Sequence, residues 1–195
     1  GLKVVMPSGP YDAKGLLLSA IRDPDPVVFL EPKSVYRSFK EDVPDEEYTI
    51  PIGEANIVNE GKHLTLITWG AMLRVASKAA EKLKEEGIDA EIIDLRTIWP
   101  LDVDKIVESV KKTGRAVILH EATKTGGMGG EIAALIQEHA LLHMDAPVIR
   151  VTSPDIPFPQ FALEKYYMPD LNRLTTGIRK VLDYSVRKWL SNSNS

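Results

Sequence analysis

The sequence has no cysteine among its 195 residues, and aromatic residues make up only 7% of it. Without cysteine the chain cannot form a disulfide or a thiolate metal site, a composition that fits a reducing compartment. A large excess of charge of one sign is missing as well, because the chain has 24 basic and 28 acidic residues and a net charge of -4. A partner held mainly by charge, such as a nucleic acid or an anionic membrane, is therefore not indicated.

Long apolar runs are also missing. The apolar stretches are only a few residues long, and the first residues lack the basic and apolar regions of a signal peptide. We therefore expect neither a membrane span nor export, and we predict a cytoplasmic protein. The hydrophobic content of 44% is ordinary for a globular protein that buries a core.

Short apolar strands alternate with amphipathic helices through most of the chain. We predict strands at Leu64–Thr68, near Ala90, at residues 116–119 and at residues 147–151. Between them lie helical stripes, each with apolar residues three or four positions apart: Met72 to Leu83, Val103 to Val110, and Ile132 to Ala140. This alternation predicts an α/β fold with a mainly parallel sheet and helices on both of its faces.

The opening residues form a smaller strand, helix and strand unit. Residues 2–6 and 27–30 read as strands, and the segment between them carries an apolar helical stripe from Ala13 to Ile21. A right-handed crossover makes the two strands parallel, but so small a unit cannot cover both faces of its own sheet. We therefore predict that residues 1–38 are part of a domain whose earlier portion lies elsewhere. Residues 39–51, rich in charge and proline, are predicted to be a linker.

Three groups of residues are candidates for chemistry. His120 and Glu121 stand where a strand is expected to end, a position open to acid-base catalysis or to contact with a loop or a partner chain. His139 and His143 have the spacing of a helical metal site, but without a third ligand a solvated helix face is favoured. The glycine cluster at residues 126–130 opens a helix, where it could bind phosphate. It lacks the Lys-Ser/Thr pair of a P-loop, so tight backbone packing is favoured.

The turn at residues 22–26 contains two carboxylates and two prolines. Proline stops a helix, so this segment is first of all a helix end. Oxygen atoms gathered in such a turn can also hold a hard cation.

Four segments together resemble the β subunit of the thiamine-diphosphate-dependent E1 component of 2-oxo acid dehydrogenase complexes. They are residues 7–17, 20–26, 93–102 and 120–127. The resemblance implies that residues 1–38 are the C-terminal remnant of a pyrimidine-binding domain and that residues 39–51 are the linker. Residues 52–184 are then a transketolase C-terminal domain, and residues 185–195 a disordered tail.

The family implies an oxidoreductase reaction, in which a 2-oxo acid is decarboxylated on thiamine diphosphate and the acyl group passes to lipoyl-E2. Residues 120–127, 156–159 and 167–170 resemble the branched-chain (2-oxoisovalerate) enzymes more than the pyruvate enzymes. In the family the cofactor and its magnesium ion are bound mainly outside the part present here. We therefore expect no catalytic and no cofactor-binding residue in this chain, and no activity of the chain alone.

The implied partners are the E1 α subunit and a second β subunit, in a heterotetramer, and the peripheral-subunit-binding domain of E2. This portion would then serve subunit assembly and E2 docking. The family also implies a structural potassium ion, for which the candidate ligands here are Ala20, Ile21, Asp23 and Asp25.

Two alternatives stay open. One is a free-standing phosphate- or nucleotide-binding module that uses the glycine cluster at residues 126–130. The other is a transketolase or deoxyxylulose-phosphate synthase, whose C-terminal domains are related but which normally carry all their domains on one chain.

Overall fold

A computed structural model describes residues 1–184. The predicted tail, residues 185–195, lies outside the described residues. The helices and strands are, in chain order, β1 (Lys3–Val5), α1 (Pro10–Arg22), β2 (Val27–Phe29), β3 (Asn56–Asn59), β4 (Leu64–Thr68), α2 (Met72–Glu85), β5 (Ala90–Asp94), β6 (Thr97–Trp99), α3 (Val103–Thr113), β7 (Ala116–Thr123), α4 (Met128–Ala140), β8 (Ile149–Ser153), α5 (Phe161–Tyr167) and α6 (Leu171–Leu182).

The larger sheet has five strands in the order β3-β5-β4-β7-β8. Strands β4, β5, β7 and β8 are parallel, and only the edge strand β3 is antiparallel. The predicted mainly parallel α/β sheet is thus confirmed. Strand β4 is buried along its whole length, as expected for a central strand with helices on both faces.

Alternate residues of each strand feed two separate cores, because successive side chains point to opposite faces of a sheet. Leu66 packs in the core beneath α2 and α6, whereas its neighbour Ile67 packs in the core beneath α3 and α4. The helices therefore cover both faces, as the sequence predicts. Gly177 allows α6 to approach β8 closely, since a Cβ there would lie 2.5 Å from Cγ2 of Val151.

Helix ends follow from identifiable local signals. The carboxylate of Asp102 caps α3 by accepting a hydrogen bond from the Lys105 amide at 3.1 Å. Gly87 follows α2 with a φ of 77°, and the Ile88 amide donates to the Leu83 carbonyl at 2.9 Å. Gly87 is therefore the helix-terminating glycine that its place in the sequence predicts.

The smaller sheet has three strands in the order β2-β1-β6. Strands β1 and β2 are parallel, as predicted, but β6 comes from the segment between β5 and α3 and pairs antiparallel with β1. Strand β6 is not among the strands predicted from the sequence. Strand β6 has three residues, which is too short to show an apolar period.

The predicted linker, residues 39–51, contains no helix or strand but packs against α1. The Tyr48 ring stacks on Tyr11 with centroids 4.5 Å apart, and the Ile50 amide donates to the Gly15 carbonyl at 3.2 Å. A Cβ at Gly15 would lie only 2.7 Å from Cγ1 of Ile50. Close packing on α1, rather than regular structure, therefore holds this segment in place.

Several elements differ from the sequence prediction or were not predicted. Strand β7 extends to Thr123, beyond the predicted residues 116–119, and β8 lies two residues later than predicted. Strand β3 and helices α5 and α6 were not predicted at all. Helix α6 carries a detectable signal, because its buried residues Leu174, Ile178 and Val181 have helical spacing.

Among residues 1–184, no helix combines the length and the apolar content needed to cross a membrane. The cytoplasmic location stays a prediction.

Candidate functional site

The carboxyl ends of three neighbouring parallel strands meet at one edge of the larger sheet. Thr68 of β4 pairs with Asp94 of β5, and β7 runs alongside β4. Ligand sites of open α/β sheets form at this edge. Two groups of ionisable side chains lie here, one around His120 and one around Asp94.

His120 is buried inside β7. The prediction that His120 and Glu121 stand at a strand end is therefore wrong, because β7 continues for two residues beyond them. The imidazole stacks on the indole of Trp69, with ring centroids 5.3 Å apart and an angle of 16° between the planes. Burial, assisted by the positive charge of Arg150, lowers the pKa of His120 to about 4. The ring is therefore neutral at pH 7.

The glycine cluster packs against the outer edge of the His120 ring. A Cβ at Gly129 would lie 2.5 Å from Nε2 of His120, and a Cβ at Gly127 would lie 2.7 Å from its Cε1. Real Cβ contacts are almost never so short, so these glycines are needed to admit the ring. The structure thus favours the packing interpretation of residues 126–130 over phosphate binding.

The second group joins the two sheets and was not singled out by the sequence. The Arg96 guanidinium forms an ion pair with the Asp12 carboxylate of α1 at 2.7 Å. The backbone amide of Arg96 donates to Oδ1 of Asp94 at 3.3 Å, and its carbonyl accepts from the Met6 amide at 2.8 Å. Arg96 adopts a φ of 57°, which turns the chain from the larger sheet into the smaller one.

Burial shifts the pKa of both carboxyl groups in this cluster. Desolvation raises the pKa of Asp94 to about 7; the neighbouring Ser8 and Arg96 oppose the shift, and the charge of Asp12 adds to it. Desolvation also raises the pKa of Asp12, although Arg96 offsets part of the effect. Perturbed carboxyl groups mark functional sites and structural charge clusters alike. Here the contacts run between the two sheets, so the cluster serves as their junction.

Glu121 lies next to His120 on β7 and points away from the His120 ring, since neighbouring strand residues face opposite sides. Its Oε1 is buried and has no hydrogen-bond partner among residues 1–184. Burial, with a further contribution from the charge of Glu164, raises the pKa of Glu121. The Glu121 carboxyl group therefore lies near α5 with one buried oxygen atom that has no partner among residues 1–184.

The predicted potassium ligands in the turn after α1 differ in whether their oxygen atoms already have partners. The Lys3 ammonium binds the Asp23 carboxylate at 2.7 Å and the Asp25 carboxylate at 3.0 Å. The Ala20 carbonyl lacks its helical donor because Pro24 has no N–H, and the Asp25 amide that would reach Ile21 donates to Asp23 instead. Backbone oxygens, rather than carboxylates, are thus available to a cation here.

The two helical histidines do not complete a metal site. His139 and His143 are exposed, and His143 already lies in the short 3-10 turn that follows α4. Within residues 1–184 there is no group of three or more His, Asp or Glu side chains that could hold a metal ion.

Comparison with known families agrees with this architecture. Residues 53–174 match the transketolase C-terminal domain, and residues 1–38 match the transketolase pyrimidine-binding domain. The chain belongs to the transketolase C-terminal domain family. The predicted transketolase C-terminal fold is thereby confirmed.

Two curated relatives of this transketolase-family chain are E1 β subunits. It is 55% identical to the mitochondrial 2-oxoisovalerate dehydrogenase subunit β of Dictyostelium discoideum, over 94% of the chain and 50% of that protein. It is 51% identical to the pyruvate dehydrogenase E1 component subunit β of Bacillus subtilis, over 94% of the chain and 57% of that protein. The chain thus spans about half the length of the curated relatives it matches.

A solved structure of the same fold is a split-gene transketolase described as an inactive β4 tetramer. It superimposes with a TM-score of 0.77 at 26% identity and covers 93% of this chain and 57% of that one. The resemblance to E1 β subunits that the sequence indicates is therefore shown by the relatives, and the transketolase-type fold is shown by the solved structure.

Gly129→Ala is expected to lower the free energy of unfolding by about 1 to 3 kcal/mol, because the new methyl group overlaps the His120 ring. Urea unfolding measures the change. Gly130→Ala is the matched control, since its Cβ would meet only the flexible end of Arg150, at 3.4 Å. Adding His120→Ala should remove the cost of Gly129→Ala. A cost that persists in this double variant would show that the ring is not the obstacle.

Asp94→Asn is expected to change how stability depends on pH. Because the pKa of Asp94 is raised, protonation of this group contributes to the free energy of unfolding. The contribution is fully present below the unfolded-state pKa near 4 and is lost as pH rises to about 7. The variant should therefore gain on the wild type by up to about 1.4 kcal/mol per pH unit within that window. Urea unfolding across the window measures the gain.

His120→Gln should show the opposite trend. The lowered pKa of His120 gives a contribution that is present above pH about 6.5 and lost as pH falls towards 4. Asp104→Asn, which removes an exposed carboxylate of α3, is the control. If plots of unfolding free energy against pH for the Asp94 and His120 variants ran parallel to that of the wild type, the shifted pKa values of these two residues would be contradicted.

Proposed function

We propose that this chain is part of the E1 β subunit of a 2-oxo acid dehydrogenase complex, which decarboxylates 2-oxo acids oxidatively and transfers the acyl group to lipoyl-E2. The observation that carries the proposal is identity of 50% or more to E1 β subunits across 94% of the chain. The full enzyme would use thiamine diphosphate and magnesium. Because the chain spans about half of those relatives, activity belongs to the complete enzyme.

We favour the branched-chain type, with the pyruvate enzyme as the alternative. The 55% identity to a 2-oxoisovalerate dehydrogenase subunit supports the first, and the 51% identity to a pyruvate dehydrogenase subunit supports the second. The segments at residues 120–127, 156–159 and 167–170 resemble the branched-chain enzymes.

The described residues do not fit a magnesium-diphosphate site, because residues 1–184 offer no group of three metal-binding side chains. At the carboxyl edge of the larger sheet the chain's own His120 contacts both Trp69 and the glycine cluster. We therefore assign this portion to subunit assembly and E2 docking. In this proposal residues 1–38 are the C-terminal remnant of a pyrimidine-binding domain, residues 39–51 are the linker, and residues 52–184 are the transketolase C-terminal domain.

A groove beside the end of α4 is the proposed docking surface for the E2 peripheral-subunit-binding domain. It has a volume of about 320 Å³ and is lined in part by Leu141, Met144, Asp145 and Tyr184. Leu142, which follows the groove residue Leu141, is 95% exposed. An exposed leucine beside an apolar groove is a common feature of protein interaction sites.

Calorimetric titration with E2 peripheral-subunit-binding domains from a branched-chain and a pyruvate complex tests this proposal. Binding is expected, and Leu142→Ser should weaken it about tenfold because an apolar contact is lost. Phe161→Ser, which alters an equally exposed residue elsewhere, is the matched control. The chain alone with thiamine diphosphate and magnesium should release no carbon dioxide from 2-oxo acids. Turnover by the chain alone, or failure to bind either E2 domain, would contradict the proposal.

We also propose that the turn after α1 contributes part of a potassium site in the complete subunit, with Ala20, Ile21, Asp23 and Asp25 as ligands. The Ala20 and Ile21 carbonyls, which lack their helical donors, support the proposal. The Asp23 and Asp25 carboxylates face Lys3, so these two residues would act through backbone oxygens.

The chain alone is expected to bind potassium weakly, because four oxygens are fewer than the roughly six to eight that a large hard cation takes. Its melting temperature in potassium chloride should therefore equal that in choline chloride at the same ionic strength. Stoichiometric potassium retained after dialysis and measured by atomic emission would contradict this expectation.

A further inference from the structure

A groove runs between the short 3-10 turn at Lys33–Val35 and helix α2. We call it the α2 groove, and the residues that line it are Ser34, Val35, Ala71, Arg74, Val75 and Lys78. Its volume is about 260 Å³. A water molecule takes up roughly 30 Å³ in the liquid, so the α2 groove has the size of a site for a small molecule rather than for a folded partner.

The walls of the α2 groove come from two segments that carry only positive charge. Residues 33–40 contain Lys33, Arg37 and Lys40 and no acidic residue, and residues 71–80 contain Arg74 and Lys78 and no acidic residue. None of these basic side chains forms a salt bridge within residues 1–184. The whole chain has a net charge of -4, so the α2 groove reverses the sign locally and attracts anions.

The acidic residues that border these two segments are engaged elsewhere. The Glu31 carboxylate accepts a hydrogen bond from the Tyr36 hydroxyl. The Glu41 carboxylate accepts one from the Tyr11 amide at 3.0 Å, at the start of α1. Glu81, the first acidic residue of α2, lines a different groove on the side of β3. These three carboxylates therefore do not neutralise the α2 groove.

Arg74 has the geometry to bind a tetrahedral anion. Its guanidinium lies over the Phe39 ring, 5.2 Å from the centroid. Such stacking occupies the face of the guanidinium and leaves the N–H donors in its plane free. These donors form a fork that matches two phosphate oxygens, while Lys78 adds a second charge and the Ser34 hydroxyl a further donor. The two valines of the groove lower the local dielectric constant, which strengthens these contacts.

We propose that the α2 groove binds the phosphate group of a small phosphate-bearing molecule, with Arg74 and Lys78 as charged contacts and Ser34 as a hydroxyl donor. The site is separate from the glycine cluster at residues 126–130, where packing against His120 is favoured. An extended acidic peptide fits less well, because it needs a longer face than a groove of about 260 Å³ offers. The site does not depend on the proposed function, since it uses only residues of this chain.

Calorimetric titration of the full chain with pyrophosphate, without magnesium, tests the proposal. The wild type is expected to bind. Arg74→Gln and Lys78→Gln should each weaken binding about tenfold, because a charged contact is lost. Arg74→Lys keeps the charge but not the fork, so its affinity should lie between those of the wild type and Arg74→Gln. Binding should also weaken as sodium chloride rises from about 50 to 300 mM, since salt screens exposed charges.

Lys111→Gln of α3 and Lys165→Gln of α5 are the matched controls, because each removes an exposed lysine outside the α2 groove. Both should bind pyrophosphate within about twofold of the wild type, since distant charges are screened. Pyrophosphate should raise the melting temperature of the wild type and of both controls more than that of Arg74→Gln, because a ligand of the folded state stabilises it. Lys78 is exposed, so Lys78→Gln stays informative even where Arg74→Gln loses its thermal transition.

ADP is the second probe and separates two sources of the phosphate group. ADP binding at least as tight as that of pyrophosphate would identify a phosphate ester, binding of pyrophosphate alone would identify free phosphates, and either result supports the proposal. No heat of binding up to about 10 mM of both probes would overturn it. Affinity that Arg74→Gln and Lys78→Gln retain, or binding of a polyglutamate peptide in place of both probes, would also overturn it. These failures leave the E2 titration, and with it the proposed function, unaffected.

Discussion

The turn at Arg96 is the point on which the arrangement of the two sheets depends. Its backbone ends β5 beside Asp94 and leads into β6, while its guanidinium binds Asp12 on α1. One residue therefore contacts both sheets and the helix that covers the smaller one. A buried ion pair of this kind adds little net stability, but losing one partner leaves an uncompensated charge. The contact thus fixes where α1 sits, and removing either partner would destabilise the chain.

The carboxyl edge of the larger sheet is packed, around His120, with side chains of the chain itself. Glycines at such an edge often give a phosphate access to backbone amides. Here they give the edge of the His120 ring access instead, and Trp69 stacks on the ring. Packing by the chain's own side chains, rather than access for a ligand, thus accounts for the glycines at residues 127 and 129.

Much of the larger sheet is predictable because its signals are local. Strand β4 has the predicted bounds, Leu64 to Thr68, and α2 ends before Gly87 as its glycine indicates. Strand β6 escapes prediction because three residues carry no period, and its pairing with β1 depends on contacts more than 90 residues apart in the sequence. The burial of His120 was also not predictable, since it depends on Trp69 from another strand. The raised pKa of Asp94 was not predictable for the same reason, because the burial of Asp94 depends on contacts with α1, which is distant in the sequence.

Strand β6 has a further consequence for how the chain holds together. Residues 1–38 reach the rest of the molecule covalently through residues 39–51, by the Asp12–Arg96 ion pair, and by hydrogen bonds to a strand that interrupts the larger unit. A proteolytic nick in residues 39–51 would therefore leave two fragments that still share one sheet. Their cohesion would be that of a non-covalent complementation pair, in which the amino-terminal piece supplies the neighbours that β6 requires.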